Sequence, residues 1–282
     1  MSSVTHSTST FKTADNLALH TARWMPESPR AAIILVHGYG EHSGRYEHVA
    51  QALAASGYAV FALDHRAHGK SEGTPRALIR SIAAVVADLK KYVDAITAEF
   101  PHLPRLMLGH SMGGLITWGY IVRHGSDLSG AIISGAPVNA DANVSPLLIG
   151  FANLANKISP ALALVDLTPL GELSHNPQNQ EQFAADPLNY HGKLPVGTGV
   201  AINSEAKFVR SKLPEVTLPV LIIYGEDDKI VNPSGSTAAY ALIASSDKTI
   251  KGYPAMKHEI MNELENDVVI KDIIQWLDAH VE

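Results

Sequence analysis

The chain has 282 residues, 46% of them apolar, with a formal net charge of -6 and no cysteine. That length supports one large core with room for an inserted subdomain. The missing thiol excludes disulfide frameworks, thiolate metal sites and cysteine nucleophiles. The acidic balance, with no basic cluster to track phosphates, argues against nucleic acid as a partner.

The N-terminal segment MSSVTHSTSTFK is polar and lacks the apolar h-region of a secretory signal, so the expected location is cytoplasmic. The first ordered piece reads as a hairpin, because NLALHTARW follows the Asp15-Asn16 turn signal and alternates like a strand. Short apolar runs then recur at 31–38, 58–64, 104–110, 130–135, 219–225 and 248–253. Most are too continuous for half-exposed strands and predict strands buried on both faces.

Helical patterns fill the intervals. Tyr46, Val49, Ala50 and Leu53 share a face, and Gly57 ends that segment. Ile82, Val85, Val86, Leu89, Val93 and Ile96 form a longer stripe that stops at Phe100-Pro101. Leu115, Ile116 and Tyr120 pattern a third helix, and Val269, Ile273, Trp276 and Leu277 the last. Strand alternating with helix implies a mostly parallel central sheet flanked by helices.

The alternation breaks between 139 and 205. The expected organisation is a core of residues 1–138 and 206–282 with a helical cap at 139–205. Within the cap, VSPLLIGFANLANKISPALALVDLTPL is long and apolar enough to raise the question of a membrane span. Pro146, Pro160, Asn153, Asn156 and Lys157 argue against one. Leu147, Leu148, Phe151, Leu154, Ala155 and Ile158 fit an amphipathic helix instead. Such a helix either packs on its own core or forms a lid whose apolar face meets substrate or a lipid surface.

The segment LGHSMGG (108–114) matches G-x-S-x-G between a predicted strand and a predicted helix. A serine on so tight a turn takes strained backbone angles, and small neighbours let the chain pass. Ser111 is the candidate nucleophile, and the Met112 N–H at the helix start is a candidate oxyanion donor. On the α/β-hydrolase fold that this motif marks, acid and base follow the serine in that order. Of the downstream histidines, His258 alone lies between the last predicted strand and the final helix. PVLIIYGEDD supplies the acid from its loop, leaving Asp227 and Asp228 as alternatives. VHGYG (36–40) offers the Tyr39 N–H as second oxyanion donor. A base that must be neutral predicts activity rising through roughly pH 6–7.

HGYGEHSGRY (37–46), DHRAHGKSEG (64–73), GHSMGG (109–114), GEDDKIV (225–231) and YPAMKHEIMNE (253–263) stand in the order and spacing of monoacylglycerol lipases. The chain resembles a bacterial member of that α/β-hydrolase family from about residue 11 onward, loosely in the cap, where mainly DPLNYHGKLP (186–195) is similar. The resemblance places the acid on Asp228 and makes Asp227 a turn residue. It carries the base onto His258 and the oxyanion donors onto Tyr39 and Met112. It implies structural ion pairs for Glu41, Arg45, Asp64 and Arg66, and hydrolysis of monoacylglycerols to glycerol and fatty acid with no metal or cofactor. Ile149, Phe151 and Leu170 of the cap and Ile230 beyond the acid are candidate walls for the acyl chain. The cap is also the candidate for peripheral membrane contact. The same triad would serve a carboxylesterase, lysophospholipase or thioesterase, and the fold a non-catalytic binding protein. One departure is Ala67, where similar proteins read D-H-R-G-H-G; a positive φ there would cost about 1 kcal/mol or more.

Overall fold

A computed structural model describes residues 4–140, 145–165 and 171–281. A hairpin of β1 (Val4–Lys12) and β2 (Ala18–Pro26) opens the chain and turns at Asn16, whose φ is 68°. Strand then alternates with helix through β3 (Ala31–Val36), α1 (Glu47–Ala55), β4 (Tyr58–Leu63), α2 (Ile82–Glu99), β5 (Arg105–His110), α3 (Met112–His124) and β6 (Gly130–Ser134). Next come α4 (Pro146–Ile158), β7 (Ala163–Val165), α5 (Pro177–Ala185), β8 (Leu194–Pro195) and α6 (Val196–Lys212). The chain returns to the sheet through β9 (Val220–Gly225), α7 (Ser234–Leu242), β10 (Lys248–Tyr253) and α8 (Asn266–His280).

Eight strands form one sheet in the order β1-β2-β4-β3-β5-β6-β9-β10. The pairs β1–β2 and β2–β4 are antiparallel, and the pairs from β4 through β10 are parallel. β7 and β8 pair separately. Successive side chains of a strand point to opposite faces, so the apolar runs feed two cores. Ile34, Phe61, Met107, Ile133 and Ile222 enter the core closed by α2, α3 and α6. Ile33, Val60, Leu108, Ile132 and Ile223 enter the core closed by α1 and α8. This is the arrangement that buries an all-apolar parallel strand on both sides.

Helix ends follow local chemistry. The Ser81 hydroxyl accepts the Ala84 N–H at 3.3 Å and starts α2. α2 stops at Phe100, whose backbone cannot stay helical before Pro101.

Between β6 and β9 the sheet pattern is suspended. α6 runs unbroken across residue 205, the border expected from the sequence, and its Ala201, Ala206 and Val209 are buried in the sheet core. α4 behaves differently. Leu147 is 85% and Ile158 79% exposed, and Leu148, Phe151 and Leu154 are at least half exposed. Its apolar face therefore does not pack on a core of its own, one of the two readings open at the sequence level. Among the described residues no helix is long and apolar enough to cross a membrane.

β3 pairs with β4 on one side and β5 on the other, so the chain reverses its direction of progress across the sheet there. Ligand sites of open parallel sheets lie at the strands' carboxyl ends beside such a reversal. The segments after β3, β5, β9 and β10 all leave by that edge.

Candidate active site

Ser111 sits between the end of β5 and the start of α3, with φ 55° and ψ -123°. A non-glycine residue with that backbone is strained. Packing holds it: its N–H donates to the Ser134 carbonyl at 2.8 Å. A Cβ on Gly113 would lie 2.1 Å from the Val36 carbonyl oxygen, so only glycine lets the turn sit against β3. That crowding is the physical origin of the motif.

The structure brings the three side chains picked from distant parts of the sequence together. His258 Nε2 lies 2.8 Å from Ser111 Oγ, and His258 Nδ1 lies 2.7 Å from Asp228 Oδ2. A carboxylate only accepts, so Nδ1 carries the proton and Nε2 faces the hydroxyl as an acceptor. Asp228 is buried, and its Oδ1 accepts the Ile230 and Val231 N–H groups, each at 2.8 Å. Asp227 points away, pairs with Lys229 at 2.6 Å and is 41% exposed at its side chain.

Burial by itself would push the His258 imidazole down. The Asp228 carboxylate, by charge and by hydrogen bond, reverses this with help from Glu259 and Glu41, and holds the group above its ordinary 6.5. The neighbouring His110, whose ring centroid lies 4.7 Å from that of His258, is driven by burial and by His258 down to about 3. It stays neutral and does not compete for the proton.

Met112 is the first residue of α3, so its N–H lies outside the helix's own hydrogen-bond ladder. Tyr39 and Met112 border the same cavity as Ser111 and His258. The cavity holds about 480 Å³, and its walls are mostly apolar. Ile149, Phe151 and Ile230 line it, as do Leu148, Leu194 and Val200. The remaining wall candidate, Leu170, lies outside the described residues.

Sequence reading missed α6 as a wall. Val196, Gly199, Val200 and Asn203 line the cavity, at the i, i+3, i+4, i+7 spacing of one helix face. The stretch VGTGVAIN carries two glycines and little amphipathic contrast, so this face leaves a faint pattern. It also missed Glu259. Arg45 lies 2.7 Å from Glu41 and 2.6 Å from Glu259, all three nearly buried beneath the site. Arg66 pairs with Asp88 at 2.7 Å and Asp15 at 3.0 Å. Asp64 departs from the ion-pair expectation: it accepts the Ser43 N–H and hydroxyl and the Lys70 N–H, and so ties two loops.

The part of the insertion after residue 171 is latched to the loops that carry the site. Tyr190 N–H donates to the Gly40 carbonyl at 2.8 Å, His42 Nε2 meets Asp186 Oδ2 at 2.8 Å, and Glu259 N–H donates to the Leu173 carbonyl at 2.8 Å.

This sheet, with a serine on its strained strand-to-helix turn, belongs to a serine hydrolase of the α/β-hydrolase fold. The family model for serine aminopeptidase, S33 (Hydrolase_4) matches residues 27–265. A monoacylglycerol lipase of Mycolicibacterium smegmatis is 37% identical over 92% of each chain. A monoglyceride lipase of Rattus norvegicus is 32% identical over 95% of this chain and 89% of its own. The crystal structure of the Paleococcus ferrophilus monoacylglycerol lipase superposes with a TM-score of 0.81 at 26% identity, over 99% of each chain. The chain belongs to the serine aminopeptidase S33 family, and within it to the monoacylglycerol lipase family.

Proposed function

We propose that this protein hydrolyses monoacylglycerols to glycerol and a free fatty acid through an acyl-enzyme. The observation that carries the reading is the hydrogen-bonded chain Asp228–His258–Ser111, opening into an apolar cavity of about 480 Å³. Ser111 Oγ attacks the ester carbonyl while His258 Nε2 takes its proton. The carbonyl oxygen, now negative, is held by the Tyr39 and Met112 N–H groups. His258 returns the proton to the departing glycerol oxygen, and Asp228 stabilises the imidazolium throughout. Water, deprotonated by His258, then attacks the acyl-enzyme; the bond between Ser111 Oγ and the acyl carbon breaks, His258 returns the proton to Ser111 Oγ, and the fatty acid leaves.

The cavity volume falls in the range of about 300–1,000 Å³ that takes one small ligand, which suits a single acyl chain with its glycerol better than a triacylglycerol. Its apolar walls reward each buried CH₂ by about 0.8 kcal/mol. Residues 139–205 act as the cap, with α4 at the entrance. The exposed apolar face of α4 meets the lipid surface from which substrate enters.

Ser111→Ala should lower kcat by about 10⁶. Steady-state rates on mono-, di- and triacylglycerols of one acyl chain should fall steeply after the first. If monoacylglycerols are not hydrolysed, while in a chain-length series of p-nitrophenyl esters the short acyl groups are preferred, the protein is a short-chain carboxylesterase instead.

A further inference from the structure

Away from the triad and the residues around it, the polar side chains on the cavity wall are asparagines: Asn139, Asn153, Asn203 and Asn232. Asn139 Oδ1 accepts from Arg210 Nη1 at 3.2 Å. Asn232 Oδ1 accepts the Ser234 N–H at 2.9 Å, where α7 begins. Asn153 belongs to the exposed part of α4 and meets solvent. Asn203 differs from all of these. Its Oδ1 is buried and has no hydrogen-bond partner among the described residues. The Tyr39 hydroxyl is likewise buried and unpartnered on this wall, but it stands on the oxyanion loop.

α6 is pinned on either side of Asn203, so the helix does not carry that oxygen elsewhere. The Thr198 hydroxyl donates to the Ala77 carbonyl and accepts the Ile79 N–H, each at 2.8 Å. Glu205 pairs with Arg123 at 2.5 Å, and Ala201 and Ala206 are buried in the sheet core. The preceding positions on the cavity face are Val196, Gly199 and Val200, and an apolar side chain at 203 would continue that wall. An amide oxygen cut off from both water and protein donors is a standing cost instead. The cost is recovered when a ligand brings a donor. A carboxamide oxygen only accepts, so the matching group is an O–H or N–H. The reaction sets the ester beside Ser111 and His258, and α6 with α4 packed on it supplies the apolar wall that an acyl chain follows. The donor therefore belongs on the acyl chain.

We propose that Asn203 is a specificity-determining residue: its Oδ1 accepts a hydroxyl carried on the acyl chain, so that the protein takes monoacylglycerols of hydroxylated fatty acids. This rests on the proposed function and narrows its substrate. The bonds made and broken at the ester are unchanged.

The probes are 1-monoacylglycerols of one long-chain acid: unsubstituted, with a single hydroxyl moved along the chain, and with each hydroxyl capped as its methyl ether. A hydroxyl buried without a partner is penalised, so most positions should lower kcat/KM. At the position that meets Asn203 the hydroxyl should match or exceed the unsubstituted chain, and exceed its own methyl ether by about tenfold or more. Asn203→Leu should lower kcat/KM for that one isomer by about tenfold or more, mainly through KM, and leave the unsubstituted chain within about threefold. A wild type with no such position, or an Asn203→Leu variant that keeps the preference, overturns the proposal. If Asn203→Leu slows unsubstituted monoacylglycerols but spares p-nitrophenyl esters of the same acid, the residue reads glycerol, which overturns it as well. The wild-type series decides the matter even if the variant does not fold. Turnover of no member of the series by the wild type is a separate result: it overturns the hydrolase reading, and this refinement with it.

Discussion

Asp227 and Asp228 are adjacent in the chain and meet opposite surroundings. Asp228 is buried against His258 Nδ1, while Asp227 pairs with Lys229 in solvent. Asp228→Asn keeps the shape but favours the wrong His258 tautomer, and should lower kcat by about 10⁴. Asp227→Asn should change it by no more than about twofold, as for a surface substitution. The pH profile gives a second readout. Asp228 holds the His258 proton more tightly than usual, so kcat/KM should rise with pH around a midpoint above the ordinary 6.5 rather than centred on it. In Asp228→Asn only Glu259 and Glu41 still oppose burial, and the midpoint of the residual activity should move to lower pH. Ala67 is a different kind of residue-scale test. Its φ is 63°, and it is buried. Left-handed backbone costs a non-glycine residue about 1–2 kcal/mol, and losing one buried methyl costs about 0.8 kcal/mol. Ala67→Gly should therefore be neutral to stabilising, by less than about 1 kcal/mol in urea unfolding. The sequence made Ser111 legible because crowding at the turn leaves glycines on both sides. It could not separate Asp227 from Asp228 without the family resemblance, because the difference lies in side-chain direction within one loop.

α4 shows what element-scale patterning can and cannot say. The spacing of Leu147, Phe151, Leu154 and Ile158 identified the helix, but an apolar stripe reads the same whether it faces a core, a ligand or a lipid. Exposure separates these cases, and here the stripe is bare. The helix packs on α6, and Phe151 lines the cavity. The element therefore touches both the outside and the route to Ser111. β1 and α6 were hard to read for the opposite reason. β1 is a polar edge strand set by pairing with β2, and the cavity face of α6 is built from small residues. For lipid contact, Leu154→Asp is the cleaner substitution, since Leu154 is 60% exposed and is not among the residues lining the cavity. A charge on a face that enters the lipid boundary opposes insertion. Co-sedimentation with anionic and zwitterionic liposomes should fall about tenfold or more, while hydrolysis of a short, water-soluble ester stays near wild type. Unchanged sedimentation would remove α4 from the lipid surface.

At the scale of the whole molecule, one cation joins the sheet edge to the insertion. Arg45 bridges Glu41 and Glu259 and donates to Asn179 Oδ1 of α5 at 2.8 Å. The pieces were visible separately, since Glu41 and Arg45 stand in HGYGEHSGRY, but Glu259 is distant in sequence and only the fold could supply it. A buried pair contributes little beyond a well-packed apolar substitute, whereas removing one partner strands the other charge. Arg45→Met strands two carboxylates and should cost about 3–5 kcal/mol at neutral pH in urea unfolding. Acid distinguishes this electrostatic cost from lost packing. Burial would raise the Glu259 carboxyl, but Arg45, by charge and hydrogen bond, holds it down from 4.5 to about 2. A depressed carboxyl supplies stability that is present above its unfolded value and is lost as pH falls through its folded one. Wild-type stability should therefore decline between about pH 4.5 and 2. In Arg45→Met the largest opposition to burial is gone and the Asn179 hydrogen bond remains, so the folded-state value rises and the penalty at neutral pH is relieved as protons bind. The two stability curves should converge on acidification. A gap between them that stays constant from pH 7 to 3 would mean that Arg45 matters for its packing on Phe183, whose ring centroid lies 4.9 Å away, and not for its charge.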